Sequence, residues 1–192
     1  MSSLITIFLA GILTDNMVLS KFLGICPFLG VSKKVNTALS MSVAVIFVMV
    51  MATAATYPIY AYLLLPNNLG YLQTIVFILI IAALVQFIET ALKKFSPPIY
   101  SALGIYLPLI TTTCAVLGIT LLNFTNELSY LEAMFNALGA GVGFMVALVL
   151  FAGVRQRLES CDIPECLQGL PITLISASLV SLSFLGFSGI VG

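Results

Sequence analysis

Gly24-Ile25-Cys26-Pro27-Phe28-Leu29-Gly30-Val31 returns 88 positions later as Thr112-Thr113-Cys114-Ala115-Val116-Leu117-Gly118-Ile119. In each copy a cysteine is followed by one variable residue, a large apolar residue, Leu, Gly and a β-branched aliphatic. Each copy also lies inside a long apolar stretch interrupted by proline or glycine. Paired interrupted segments at corresponding places in two halves of a chain mark a binding site between membrane repeats. Taken singly, either motif reads more simply as a packed kink with cysteine as a small hydrophobic filler. It is the pairing that points to chemistry.

The composition around the motifs sets the solvent. Of 192 residues, 61% are hydrophobic and only 7% charged, whereas about a quarter of a soluble domain is charged. So much apolar surface has no water-soluble core to fill, and the chain reads as an integral membrane protein. The start of the sequence lacks a basic region followed by a short apolar core and a cleavage site, so the first apolar stretch is expected to remain as a span. With no polar tract or linker, residues 1–192 read as a single membrane domain. The absence of His removes the usual proton shuttle and the usual neutral ligand for zinc or haem. Four cysteines, two of them deep in apolar sequence, do not make a secreted disulfide framework. No glycine-rich phosphate loop is present, and nothing suggests nucleic-acid binding.

Six apolar segments follow one another: 4 to about 30, 37–64, 71–92, 99–122, 131–154 and 170–191. Each meets the ~20 residues that a helix needs to cross a hydrocarbon core, and a continuous apolar run has its backbone satisfied in lipid only as a helix. The expected fold is therefore an all-α membrane protein of six transmembrane helices. Lys21, Lys33 and Lys34 lie towards the end of the first segment, Lys93 and Lys94 after the third, and Arg155 and Arg157 after the fifth. By the positive-inside rule those connections are cytoplasmic, and both termini lie on the outer face. Three helices per half make the second half start from the opposite side. The repeats, about 1–94 and 95–192, are then inverted, which brings helices 1 and 4 and their cysteines together from opposite faces.

Gly24, Pro27 and Gly30 in the first segment, and Pro108 before Thr111, Thr112 and Thr113 in the fourth, are expected to break helices 1 and 4 into half-helices. Pro27 suits a first helical position, and the threonines can serve backbone groups released by the second break. Cys26 and Cys114 would each stand at the N-terminus of a half-helix, where unpaired amides favour a thiolate. Such a pair reads as a metal site, but an incomplete one, because iron–sulfur clusters need four ligands and zinc without His needs more than two. A partner, either a second copy or a related protein with the same repeat, has to supply the rest.

Lys21-Phe22-Leu23-Gly24-Ile25-Cys26-Pro27-Phe28-Leu29-Gly30-Val31-Ser32-Lys33-Lys34, Val85-Gln86-Phe87-Ile88-Glu89 and Leu107-Pro108-Leu109-Ile110-Thr111-Thr112-Thr113-Cys114-Ala115-Val116-Leu117-Gly118 carry a family resemblance. It extends through the loop 154–171 and Gly186-Phe187-Ser188-Gly189, and so covers essentially the whole chain. The sequence resembles the membrane subunits of the Rnf complex, the ion-translocating ferredoxin:NAD oxidoreductase of bacteria. The wider family includes the paired D and E subunits of the sodium-pumping NADH:quinone oxidoreductase. Cys-Pro-Phe-Leu-Gly and the short connection between helices 2 and 3 favour the Rnf branch, at its A position.

The resemblance implies a component of the bacterial cytoplasmic (inner) membrane with no complete active site of its own. It would share one [2Fe-2S] cluster near mid-membrane with a homologous membrane protein of opposite topology, the E component of Rnf. Cys26 and Cys114 would be the ligands here, and two further cysteines would come from the partner. The B, C, D and G components of Rnf would complete the complex, in which electron flow drives export of Na⁺ or H⁺.

Other polar residues are weighed from the sequence alone. Asp15 and Asn16 lie inside helix 1, and an intramembrane carboxylate is a functional candidate by default. Asp15 is a candidate ion-path residue, although the pair serves equally to satisfy the helix break. Cys161 and Cys166 in a loop read as bystander thiols, and Gly139-Ala140-Gly141-Val142-Gly143 as a surface for close helix contact. Asn123-Phe124-Thr125 matches a glycosylation sequon without functional weight. The rival class is an inverted-repeat secondary transporter using Asp15. Replacing both motif cysteines by serine separates the two, since a transporter tolerates the change.

Overall fold

The computed structural model describes residues 2–13, 16–32, 35–64, 72–95 and 113–191, and these form helices joined by turns, with no strand among them. The elements are α1 (Ser2–Leu13), α2 (Ile25–Val31), α3 (Val35–Ile59), α4 (Gln73–Phe95), α5 (Cys114–Thr125), α6 (Tyr130–Leu158) and α7 (Leu170–Val191). A helix falls in each of the six expected segments. The first segment holds two, α1 and α2, separated by the interruption over 16–24. The first part of the fourth segment, with Pro108, Thr111 and Thr112, lies outside the described residues, as does Asp15.

The spans Val35–Tyr62, Gln73–Thr90 and Tyr130–Leu158 are long and apolar enough to cross a membrane, and shorter apolar helices cover Cys114–Thr125 and Leu170–Gly186. At 1.5 Å per residue, α6 is about 43 Å long, more than the ~30 Å hydrocarbon core. It runs through the middle of the molecule and packs mainly on α3 and α1. On α3, Ala38, Met41, Val45, Met49 and Ala52 are buried, while Leu39, Val43, Phe47 and Met51 form an exposed apolar stripe one turn apart. In water such a stripe would be unfavourable, and against lipid it is the expected outer face.

Glycine sets the closeness of the central contacts. A Cβ on Gly139 would stand 2.9 Å from the Phe8 carbonyl oxygen, and one on Gly143 2.8 Å from that of Gly11. On the other side of α6, a Cβ on Gly141 would meet Ile46 Cγ1 at 2.9 Å. The glycine run thus lets α1 approach α6 backbone to backbone and lets Ile46 of α3 pack directly on the α6 backbone, as its small-residue spacing predicts.

The two ends of the bundle differ. Tyr57 at the end of α3 and Tyr60 just after it, Phe77 in the first turns of α4, Phe124 at the end of α5 and Tyr130 at the start of α6 form one aromatic cluster, with Tyr60 and Phe124 centroids 4.2 Å apart and Phe77 and Phe124 4.9 Å apart. Because α4 and α6 both start there, their opposite ends, with Lys93 and Lys94 and with Arg155 and Arg157, lie away from it. For Lys93, Lys94, Arg155 and Arg157, the segregation of charge expected from the sequence is therefore built into the helix directions, while Lys33 and Lys34 lie outside the described residues. Pro58 cannot donate a hydrogen bond to the preceding turn, and α3 slips into a π-helical turn over Tyr60–Leu64 directly after it.

Candidate functional site

Cys26 is the second residue of α2 and exposed, and Cys114 is the first residue of α5 and half-buried. The backbone N–H of Gly24 donates a hydrogen bond to Cys114 Sγ at 2.9 Å. That contact spans 90 residues and joins the two cysteine motifs directly. The rest of the meeting is close packing: a Cβ on Gly24 would lie 3.2 Å from Ala115 Cβ, and one on Gly118 only 2.6 Å from Leu23 Cδ1. Each motif's glycine thus makes room for the other motif.

The level of this meeting follows from α6. Gly24 lies against Phe144, the middle residue of α6, and Phe28 stacks on Phe151 with ring centroids 4.3 Å apart. Hence α2 runs from the middle of α6 towards its basic end. Asn123 of α5 contacts Ala133 and Asn136 instead, so α5 runs from the same level towards the aromatic end. Two short helices, α2 and α5, leave one mid-bundle point in opposite directions, each with its cysteine in the first turn. Ile25 and Cys26 have no intrahelical acceptor for their amides by helix geometry, and Pro27, two residues later in the helix than the sequence suggested, has no amide to satisfy.

The interruption over 16–24 is closed by named partners. Asn16, only 1% exposed, donates through Nδ2 to the Gly143 carbonyl at 2.9 Å and to that of Ile12 at 3.4 Å, and its Oδ1 accepts from Val18 N–H at 3.2 Å. Leu23 N–H bonds to the Met17 carbonyl at 3.0 Å, and Ser181 Oγ of α7 donates to the Leu19 carbonyl at 2.6 Å. For Asn16 the helix-break reading therefore holds. Gly24 (φ 92) and Phe22 (φ 54) both take left-handed backbone to complete the turn into α2. Removing the α7 hydroxyl by Ser181→Ala is expected to destabilise the chain by about 1–2 kcal/mol, the cost of a buried carbonyl left without its partner. Equilibrium unfolding in mixed micelles measures it.

At the head of α5, Thr113 takes the N-cap position with extended backbone, and its carbonyl accepts from Val116 N–H at 3.2 Å. Cys161 and Cys166 are exposed, and no group of three or more His, Cys, Asp or Glu gathers among the described residues. Cys114 takes the Gly24 amide on its sulfur and Cys26 lies two residues beyond that amide, so this chain offers two thiols from the first turns of two helices, fewer than the four that an iron–sulfur cluster needs. Asn123, at 1% exposure, is sealed inside the fold and so is unsuited to be a glycosylation acceptor.

Residues 4–191 match the family described as Rnf-Nqr subunit, membrane protein. The chain belongs to the Rnf-Nqr family of membrane subunits. It is 58% identical over 187 residues to the A component of the Na(+)-translocating ferredoxin:NAD(+) oxidoreductase complex of Acetobacterium woodii, with 97% of each chain covered. It is 52% identical over 191 residues to the A component of the ion-translocating oxidoreductase complex of Syntrophotalea carbinolica, covering all of this chain and 99% of the relative. The protein of the same name from Shewanella oneidensis is 48% identical over the full length of both.

In this Rnf-Nqr chain, the contact that joins the two cysteine motifs is only half visible in the sequence. Glycine and proline mark both breaks, but the Gly24 amide as the group that meets Cys114 has no signature there. Arg155 is hidden more completely. In the sequence it reads as a topological charge, yet it donates from Nη1 to the Leu29 carbonyl at 2.8 Å and to Ser32 Oγ at 2.9 Å.

Proposed function

We propose that this chain is the A-type electron-transfer component of an ion-translocating ferredoxin:NAD oxidoreductase, and that Cys26 and Cys114 supply two of four thiolates to a shared [2Fe-2S] site. The observation that carries this reading is the Gly24 N–H to Cys114 Sγ hydrogen bond, which brings both cysteine-bearing half-helices to one point at the middle of α6. The names of the full-length relatives support the reaction class. A [2Fe-2S] group held there would supply one-electron transfer inside the membrane.

The residues of this chain contribute position and charge compensation. A four-thiolate cluster is anionic, and first-turn amides at the head of α5 together with the Gly24 amide favour negative charge on sulfur. Cys26 is exposed, and its neighbours Phe22, Ile25 and Leu29 line an apolar groove of about 230 Å³ towards Leu174 and Ala177 of α7. A homologous membrane protein of opposite topology, the E component of Rnf, approaches on the side where Cys26 is open and brings the other two thiolates. The opposed directions of α2 and α5 support the inverted-repeat plan, and the segregated basic residues support termini on the outer face of the bacterial cytoplasmic membrane. The B, C, D and G components complete the assembly, and Na⁺ or H⁺ is the ion exported.

The test compares the complex carrying the native chain with complexes carrying Cys26→Ser and Cys114→Ser. Each substitution is expected to remove the same [2Fe-2S] electron paramagnetic resonance signal after dithionite reduction, with the matching iron, while the complex still assembles. Retention of iron, signal and electron transfer in both variants would reduce the cysteines to packing residues and turn attention to Asp15.

A further inference from the structure

Four residues of α6, Phe144, Leu148, Phe151 and Arg155, recur at helical spacing and form one buried-to-polar stripe. Phe144 stands against Gly24, Phe151 stacks on Phe28, and Arg155 reaches Leu29 and Ser32. The stripe therefore follows α2 from the residue before it to the residue after it. With only seven residues, α2 has room for only about three intrahelical hydrogen bonds, and its last four carbonyls need outside donors. Among the described residues, Arg155 is a charged group that meets this end of the helix: one nitrogen with two N–H bonds serves the Leu29 carbonyl and the Ser32 hydroxyl together.

We propose that Arg155 is a positioning residue for Cys26, fixing the far end of α2 so that the thiol at its near end keeps its place relative to the Gly24–Cys114 contact. This rests on the reading of Cys26 as a cluster ligand. The half-helix is held at both ends by different devices, the Gly24–Cys114 contact at its start and the Arg155 clamp at its finish, with the Phe28–Phe151 stack between them. Loosening the clamp lets α2 pivot on the stack, and the displacement appears at Cys26. A lysine keeps the charge but loses the planar fork that meets two acceptors from one nitrogen, so it restores the clamp in part.

Hydrogen exchange of the Ile25–Ser32 amides in the full-length chain in nanodiscs, and the spectrum and midpoint potential of the assembled complex, test this together. Arg155→Gln is expected to speed exchange about tenfold, as loss of charge-assisted hydrogen bonds on a local opening does. It is also expected to shift the g-values and midpoint potential at unchanged iron content, with Arg155→Lys intermediate. Native exchange in Arg155→Gln, or faster exchange with an unmoved spectrum and potential, overturns the proposal. Should Arg155→Gln fail to accumulate, Ser32→Ala and Arg155→Lys decide: faster exchange with a shifted spectrum in both sustains it, and native behaviour in both overturns it. If Cys26→Ser leaves the [2Fe-2S] signal in place, the cluster reading itself has failed. A cluster that needs Cys26 but ignores Arg155 sinks the positioning role alone.

Discussion

Gly24→Val is expected to cost about 2–4 kcal/mol of stability and to separate the two cysteine motifs. Two independent penalties combine. At φ 92 and ψ 22 the backbone of Gly24 is left-handed, and a β-branched side chain is the least suited to that region. The new Cβ would also stand 3.2 Å from both Ala115 Cβ and Phe144 Cε2, and neither neighbour can yield because both are buried. If Gly24 moves away, its amide no longer reaches Cys114 Sγ. Gly24→Ala carries the same two penalties at smaller size, so a graded series from glycine through alanine to valine is expected. Gly153→Ala is the control: its Cβ meets nothing within 4 Å, and no loss is expected. Unfolding in mixed micelles measures all three. A valine variant within about 0.5 kcal/mol of the native chain, the scatter of ordinary surface changes, would mean that the motifs meet by some other arrangement.

What is legible in the sequence here is mostly backbone. Glycine and proline advertise where a helix cannot continue: the first segment is interrupted over 16–24 and α2 starts beside Cys26, while α5 starts at Cys114 with Pro108 outside the described residues. Charge advertises which helix ends share a face, and α4 and α6 point their basic ends away from the aromatic cluster. Small residues advertise close approach, and Gly139, Gly141 and Gly143 make it. These signals are local, because each follows from what one residue type does to its own turn. The outline of the fold is therefore readable, while helix ends move by a few residues: α6 continues to Leu158, past the end expected at 154, because Arg155 and Arg157 are good helix formers in a favourable last turn.

Side-chain partners across the chain are not legible in this way. Arg155 looks like any topological arginine until α2 is laid beside it, because its acceptors are a backbone carbonyl and a serine 126 and 123 residues away. The donors for the interruption come likewise from distant places, with Ser181 of α7 reaching Leu19 across 162 residues. A sequence shows that a break will release polar groups. It does not show who satisfies them. That asymmetry explains why Asn16 stands in the sequence beside Asp15 as a potential ionic feature, when its amide is fully engaged in closing the break.

Asn16→Leu is accordingly expected to be among the most damaging single changes, at about 2–4 kcal/mol. The side chain is buried at 1% exposure and makes three bonds at once, donating to Gly143 and Ile12 and accepting from Val18. Leucine fills a similar volume, so the loss comes from polarity rather than from a cavity: in an apolar interior without water, the Val18 amide and the Ile12 carbonyl are left without this partner. Asn16→Asp is the sharper variant. It keeps an acceptor for Val18 but turns its second oxygen towards two carbonyl oxygens, so at neutral pH it should destabilise at least as much as leucine despite its nearly identical shape. Because the Gly143 contact also pins the end of α1 to the middle of α6, both variants should speed hydrogen exchange across the interruption over 16–24 before they affect α3 or α6. Uniform loosening of the whole chain would instead mean that the break has no separate stability and that Asn16 serves the bundle as a whole.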